Sequence, residues 1–504
     1  MHGRIPLILI AVGSLAFLAA LAYVVVTLLS LNRSPVISTD YHAKLRELAI
    51  ASQGADPDAP NAYPILLAAA ERLGKIEEEA LAEAERRLNA EGVDTSAAHA
   101  YVDFTDIRGE ASYYDDETSA RWTLLATRIA AERAPAGGID ADLDAIAAAP
   151  LSLSPLPEGN PPLADTMYIE AYGAARKLAR YAAGRFDLAV DAGDEAEMLR
   201  RVDHLLALAR AASFQPLLIS RLVRVAIGAL AEGRIRDAVL RGNLSAEALA
   251  AFADRLDRMF DPEVAAAAIE GERLFMADLV QRTFTDDGRG SGRPIPSALK
   301  SLNVLPDSGP DLRRIPTVAA ALSASRRETN ELLDRWKDAS VRLARNPGDA
   351  QAAADLEAAL DEAAQPRHVF LDLGIWSRMA SGTDPLIRSR AGLIRLLVAI
   401  ERHRVDHTRP PADLAGLVPA YLPEIPQDPF APNRRFRYRA FDAPDEHART
   451  YLLYAVGRDG VDNGGRLLTG DEGDQSLTPF LASGVGDGYD AIANPPPPER
   501  TTPP

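Results

Sequence analysis

The chain of 504 residues contains no cysteine. This absence excludes disulfide bonds, thiolate nucleophiles and cysteine metal sites. Aromatic residues are scarce at 6%, and alanine and leucine outnumber valine and isoleucine, so the composition favours helix over sheet. Lysine and arginine number 55 against 72 aspartates and glutamates. The resulting net charge of -17 argues against binding to nucleic acid through its phosphates.

The longest apolar run lies near the amino terminus, where residues 5–31 carry no charged side chain. This run exceeds the roughly 20 residues that span a bilayer core, so it predicts a transmembrane helix that acts as an uncleaved signal anchor. The alternative is a cleaved signal peptide, for which Ala20-Leu21-Ala22 offers a small-residue site. We expect a single-pass membrane protein in which the short tail 1–4 stays inside and the bulk of the chain is extracytoplasmic, on the periplasmic side.

Beyond this anchor, apolar residues recur three and four positions apart, which predicts helices over most of the chain. Proline-rich and glycine-rich stretches without a sustained period separate the helical parts. The predicted organisation is a helical region at 35–150, a proline-rich linker at 151–162, an antiparallel helical-hairpin array at 163–284, a flexible loop at 285–315 and a second helical region at 316–380.

Good capping residues mark the helices of the array. Asp194 and Ser245 each precede a helical pattern, and Asp261-Pro262 starts the next one. The alternation of short connections and helices is similar in kind to tetratricopeptide repeats, although no self-similarity at a period of about 34 residues is present. Helical arrays present a concave surface, so this pattern favours a scaffold that binds a partner protein.

The last well-patterned segment, residues 384–492, changes from helical period to strand period. An amphipathic helix at 386–400 is followed by two alternating runs at 435–441 and 450–456, which predict half-buried antiparallel strands. The proline-rich residues 493–504 predict a disordered tail. The expected fold is therefore mainly α, with a small α+β domain at the carboxyl end.

Motifs for catalysis are few. No glycine-rich phosphate loop follows a strand, and no Gly-x-Ser-x-Gly elbow occurs. His403 and His407 lie four residues apart near a helix end, but Arg404 stands where a zinc-protease motif has glutamate. We therefore expect a non-enzymatic protein. The alternative is a membrane-anchored extracytoplasmic hydrolase, for which the flexible loop, His403, Asp406 and His407 are the only hints.

A glycine-rich acidic loop after the second strand run is the candidate metal site. Calcium takes about six to eight oxygen ligands in flexible geometry, which such a loop supplies from carboxylates and backbone carbonyls. The EF-hand spacing fails because Val461 occupies the third position counted from the first aspartate. Asp-Gly and Asn-Gly are also ordinary turn formers. The candidate calcium ligands are Asp459, Asp462, Asp471 and Asp474.

Several motifs follow the helix at 393–407 in a recognisable order. They are Arg409-Pro410-Pro411-Ala412-Asp413-Leu414, Pro426-Gln427-Asp428-Pro429-Phe430, Phe436-Arg437-Tyr438 and Tyr451-Leu452-Leu453-Tyr454-Ala455-Val456-Gly457-Arg458-Asp459-Gly460. With these motifs, residues 395–465 resemble the C-terminal globular part of the major pseudopilin of type II secretion systems. The resemblance implies a helix packed on a small antiparallel sheet, an extracytoplasmic location and a calcium-binding loop after the last strand.

The amino terminus departs from that family, because it has no pseudopilin cleavage site and no glutamate in its apolar run. The overall layout is similar to large membrane-anchored proteins of planctomycete-type bacteria that carry such a terminal module. We expect a scaffold for assembly or secretion at the cell envelope. Its expected partners are the lipid bilayer, through the N-terminal helix, and an envelope protein.

Overall fold

The computed structural model describes residues 35–109, 116–259, 261–295, 322–368, 374–457, 459–466 and 490–495, with positions 21, 25 and 298 and with the backbone alone at 374–384. Except for positions 21 and 25, the predicted transmembrane run 5–31 lies outside these residues. Among the residues that are described, no helix combines the length and the apolar character needed to cross a membrane.

The described chain is mainly helical with one small antiparallel sheet, as the composition predicts. Short 3-10 turns lie at Phe104–Asp106, Leu163–Thr166 and Leu414–Leu417. The helices are α1 (Tyr41–Gln53), α2 (Ala62–Ala90), α3 (Glu117–Ala136), α4 (Ile139–Ala148), α5 (Ile169–Ala192), α6 (Glu195–Ala211), α7 (Leu218–Arg241), α8 (Ala246–Asp257), α9 (Pro262–Thr283), α10 (Arg326–Arg345), α11 (Ala350–Ala363) and α12 (Gly374–His407).

The predicted caps are present at the helix starts in the array. The Asp194 side chain accepts a hydrogen bond from the backbone N–H of Glu197, and the Ser245 hydroxyl accepts one from Ala248. Each bond satisfies an N–H group that has no partner within the first helical turn. Pro262 stands at the first position of α9, where its missing N–H costs no helical bond.

Helix α12 differs from its predicted limits, and α4 was not predicted at all. Helix α5 contains Gly184 in its interior and continues for more than two turns beyond it. Gly184 serves packing instead of termination, because a Cβ atom there would lie 2.5 Å from the carbonyl oxygen of Phe104. Helix α12 begins at Gly374 and runs through Pro385, so it starts well before the predicted residue 386.

Helices on both sides of the proline-rich connector share one hydrophobic core. Its residues run from Ala62 on α2 to Ala231 on α7. The connector itself is fixed to this body, since the Asn61 side chain donates to the carbonyl oxygen of Leu153 at 2.9 Å. Residues 151–162 therefore join packed helices and do not separate two cores.

The first part of the predicted flexible loop is ordered. Phe284 and Pro294 form an antiparallel bridge, and the N–H of Thr285 donates to the carbonyl oxygen of Arg293 at 3.0 Å. The N–H groups of Arg326 and Arg327, at the start of α10, donate to carbonyl oxygens of the same turn. The periodicity of apolar residues does not predict backbone hydrogen bonds between residues distant in sequence. The remainder of the loop, 296–315, lies outside the described residues apart from position 298.

The sheet has the order β1 (Arg437–Ala440), β2 (Tyr451–Ala455), β3 (Ala491–Ile492), with both pairs antiparallel. The prediction of half-buried strands is wrong for β2, which is buried along its whole length. One face of β2 packs on α12, and its other face joins a small cluster with Phe441 and Ile492.

The start of the predicted disordered tail also belongs to the sheet. Asn494 is buried, and its side-chain amide donates to the carbonyl oxygen of Tyr451 at 2.7 Å while its side-chain oxygen accepts from the N–H of Leu453 at 3.1 Å. Burying an amide that is fully hydrogen-bonded removes the cost of its desolvation. The rest of the tail, 496–504, lies outside the described residues.

Candidate functional site

Helix α12 is shared between the helical array and the terminal sheet. Its residues from Leu393 to Ile400 lie in one core cluster with Phe186 of α5, Phe252 of α8 and Tyr451 of β2. Burial on two sides explains why this helix is apolar over most of its circumference. The main core of the α+β part, which we call the terminal module (residues 384–466 and 490–495), is therefore continuous with that of the array.

A buried ion pair crosses the same junction. The Arg390 guanidinium on α12 donates through Nε to a carboxylate oxygen of Glu232 on α7, and the two residues are only 5% and 1% exposed. Burial raises the pKa of Glu232, and the guanidinium opposes that shift. Such a pair favours the packing that brings both charges together, because either charge alone in the interior would be strongly unfavourable.

The acidic loop follows β2 and packs against β1. Asp462 accepts a hydrogen bond from Arg437 Nε at 2.6 Å on one carboxylate oxygen. Its other oxygen accepts from the Tyr454 hydroxyl at 2.8 Å and from the N–H of Gly464 at 3.0 Å. Burial disfavours the charged form, but these hydrogen bonds outweigh it and hold the pKa of Asp462 below its usual value.

Of the three other predicted ligands, the structure describes Asp459. The Asp459 side chain accepts from the N–H of Val461 at 3.0 Å, which is a local turn. Asp471 and Asp474 lie outside the described residues.

Asp490, which was not among the predicted ligands, organises the loop. It lies next to β3, and its carboxylate accepts from the N–H groups of Asn463, Gly465 and Arg466 at 3.1, 2.8 and 3.3 Å. Burial raises the pKa of Asp490, and the three backbone donors oppose the shift. No local signal could have placed it, because a stretch of more than 20 residues separates it from the loop in the chain.

In the described part of the loop, the protein's own groups donate hydrogen bonds to both carboxylate oxygens of Asp462. Arg437 lies against Asp462 at the position where a cation would have to approach, so calcium would need to displace a guanidinium there. In the part of the chain that the structure describes, no group of three or more His, Asp or Glu side chains has a metal-binding arrangement. Calcium binding stays a prediction.

The histidines considered for hydrolysis lie at the exposed end of α12. His403 and His407 stack one turn apart, and the Tyr421 hydroxyl donates to the carboxylate of Asp406 at 2.7 Å. The Arg404 guanidinium, which replaces the glutamate of a zinc protease, donates to Glu401 at 2.6 Å.

His204 is a structural residue. It is 1% exposed, with Nε2 2.8 Å from a carboxylate oxygen of Asp144. Burial lowers its pKa.

Glu272 is a buried acid whose carboxylate accepts a hydrogen bond from the backbone. It is 5% exposed on α9, and its carboxylate accepts from the N–H of Leu218, the first residue of α7, at 3.3 Å. Burial raises its pKa to about 7, with that hydrogen bond in opposition. Gly271 makes the contact possible, because a Cβ atom there would lie 1.7 Å from the carbonyl oxygen of Pro216. Glu270, two residues earlier on α9, is half-buried.

A small cavity lies beside this contact, between α1, the connector and the turn before α7. Its volume is about 20 Å³, and its polar lining comes from His42, Arg46, Ser154 and Gln215. The side-chain oxygen of Gln215 has no hydrogen-bond partner among the residues that the structure describes. A space of this size holds about one water molecule, which would satisfy that oxygen. It does not hold a substrate.

Comparisons of the chain with protein-family models, with curated protein sequences and with solved structures gave no match.

Proposed function

We propose that the protein is a non-enzymatic scaffold anchored in the cell envelope by its amino-terminal helix, with the terminal module as its partner-binding end. The observation that supports this most is the junction at α12, where a shared core and the Glu232–Arg390 pair fix the module to the array. A binding surface held in one position loses less conformational freedom when a partner docks. A pseudopilin-like role in assembly or secretion belongs to this proposal and rests on the sequence resemblance.

Exposed arginines of the terminal module favour an acidic protein as the partner. The module contains 13 arginines and 12 acidic residues, a net charge of +1 within a chain of -17. Arg434, Arg435 and Arg439 are exposed and pair with no carboxylate among the described residues. Exposed, unpaired charges of one sign steer association with a surface of opposite sign.

Membrane fractionation and co-purification test this proposal. We expect the intact protein to sediment with membranes and to retain an envelope protein in mild detergent at low salt. The triple variant Arg434→Gln/Arg435→Gln/Arg439→Gln should retain much less of that protein, and raised salt should have the same effect on the native chain.

The matched control removes three exposed arginines from helices α2, α3 and α5, as Arg86→Gln/Arg128→Gln/Arg176→Gln. This variant should retain the partner as the native chain does. Equal retention by both triple variants contradicts the assignment of the surface, and recovery of the intact protein in the soluble fraction contradicts the anchor.

Calcium binding by the acidic loop is part of the same proposal and has its own test. Millimolar calcium should raise the melting midpoint of the full-length protein above its value in a chelator, since an ion that binds only the folded state stabilises it. Asp462→Asn should abolish the increase, whereas Arg437→Gln should enlarge it by removing the competing guanidinium. A midpoint that calcium leaves unchanged in both the native chain and the Arg437→Gln variant counts against the site.

A further inference from the structure

The last turn of α12 presents two imidazoles side by side. His403 and His407 lie four residues apart on one face, with ring centroids 4.2 Å apart and ring planes within 18°. His407 is exposed and His403 is half-buried. Residues at this spacing are neighbours on a helix surface and can bind the same ligand.

Hydrogen bonds to the backbone fix the tautomer of both rings. His403 Nδ1 lies 3.1 Å from the carbonyl oxygen of Arg409, and His407 Nδ1 lies 3.1 Å from the carbonyl oxygen of His403. A carbonyl oxygen can only accept, so each Nδ1 carries the proton and donates it. Each Nε2 atom therefore holds a free lone pair. Metal-binding histidines typically show this arrangement, with the second ring nitrogen donating to a carbonyl or carboxylate oxygen.

The loop that follows α12 holds the two rings in place. The ring of Tyr421 meets both imidazoles edge-on, at centroid distances of 5.6 and 6.5 Å, and its hydroxyl donates to Asp406 at 2.7 Å. The Arg402 guanidinium packs over the Tyr421 ring at 5.5 Å. Asp406 therefore supplies a negative charge close to the imidazoles and partly offsets Arg402.

We propose that His403 and His407 bind one divalent transition-metal cation through their Nε2 atoms. Imidazole nitrogen suits Zn²⁺, Ni²⁺ and Cu²⁺, whereas calcium prefers oxygen, so this site is distinct from the acidic loop. Stacked rings point their lone pairs in nearly the same direction, so binding one ion through both Nε2 atoms requires a rotation of the exposed His407 ring. Water molecules complete the coordination of the ion. The two imidazoles leave the other coordination positions of the ion to water or to a ligand from a partner. A partner's ligand would make the metal a bridge at the end of the module.

Equilibrium dialysis of the full-length protein in detergent against Zn²⁺ tests the site. The reference is a His2→Gln chain, which lacks the imidazole next to the amino terminus. We expect His403→Gln/His407→Gln in this background to bind one ion fewer per chain. A control with two other exposed histidines replaced, His99→Gln/His447→Gln, should bind as many ions as the reference.

A second measurement identifies the ligands themselves. Electron paramagnetic resonance of the reference chain with one equivalent of Cu²⁺ should show coupling to two imidazole nitrogens, and His403→Gln should show coupling to one. Helical circular dichroism should stay unchanged, because the substituted side chains lie at a helix end outside the core. Equal Zn²⁺ binding by the reference and the His403→Gln/His407→Gln variant, or a copper spectrum that the substitution does not alter, overturns the proposal.

Discussion

Replacing Arg390 with methionine is expected to lower the free energy of unfolding by about 3–5 kcal/mol, because it leaves a carboxylate buried without its counter-charge. Glu232 is 1% exposed, and Arg390 is the cation that contacts it across the junction of α7 and α12. Chemical denaturation of the full-length protein, followed by circular dichroism, measures the loss.

The pH dependence of this variant follows from the same contact. Burial already raises the pKa of Glu232 above its usual 4.5, and loss of the guanidinium raises the pKa further. A carboxyl group whose pKa is raised in the folded state stabilises the fold fully below its unfolded pKa, and this contribution is lost as the pH rises. The deficit of Arg390→Met should therefore be smallest near pH 4.5 and should grow toward neutral pH.

Two comparisons separate a buried charge from a general loss of packing. Glu232→Gln/Arg390→Met should recover most of the stability, because it removes the stranded carboxylate as well. Arg345→Met breaks an exposed pair with Glu263 and should cause no comparable loss. If the double variant is as unstable as Arg390→Met alone, the buried carboxylate is not the cause.

Local sequence signals accounted for most of the helical framework. Helix α2 lies in the predicted helical region 35–150, and the caps at Asp194 and Ser245 act as expected, because capping and apolar period depend on neighbouring residues only. Helix α4 escaped prediction because its ten residues give fewer than three turns of pattern between two glycines and a proline. Helix α12 starts before the predicted residue 386 and continues through Pro385, although a proline favours a helix boundary.

The contacts of the candidate site could not have come from local pattern. Arg390 falls between apolar residues of an amphipathic helix, which normally indicates solvent, and it is buried only because α12 has packed partners on two sides. Its partner Glu232 is 158 residues away. Asp490 is likewise brought to the acidic loop by the pairing of β3 with β2. The composition of the sequence indicated the acidic loop, but it did not indicate the contact of Arg437 with Asp462.

Replacing Glu272 with glutamine is expected to stabilise the protein at pH 8 and to flatten its pH profile. Burial raises the pKa of Glu272 from 4.5 to about 7, so the folded state binds this proton more tightly than the unfolded chain does. The stabilising contribution is complete below pH 4.5 and is lost as the pH rises through about 7. At about 1.4 kcal/mol per pH unit, the loss amounts to roughly 3 kcal/mol. Glutamine fills the same space, keeps an oxygen for the N–H of Leu218 and carries no charge at any pH.

Denaturation of the full-length protein at several pH values between 4.5 and 8 measures this effect. The Glu272→Gln variant and the native chain should have similar stability at the acidic end and should diverge as the pH rises. Glu270→Gln, which removes a half-buried charge two residues earlier on α9, should follow the native profile. Parallel profiles for the Glu272→Gln variant and the native chain would show that the carboxyl group ionises without cost. The contact between α9 and the start of α7 would then have to be open to water, contrary to the close approach of Gly271 to Pro216.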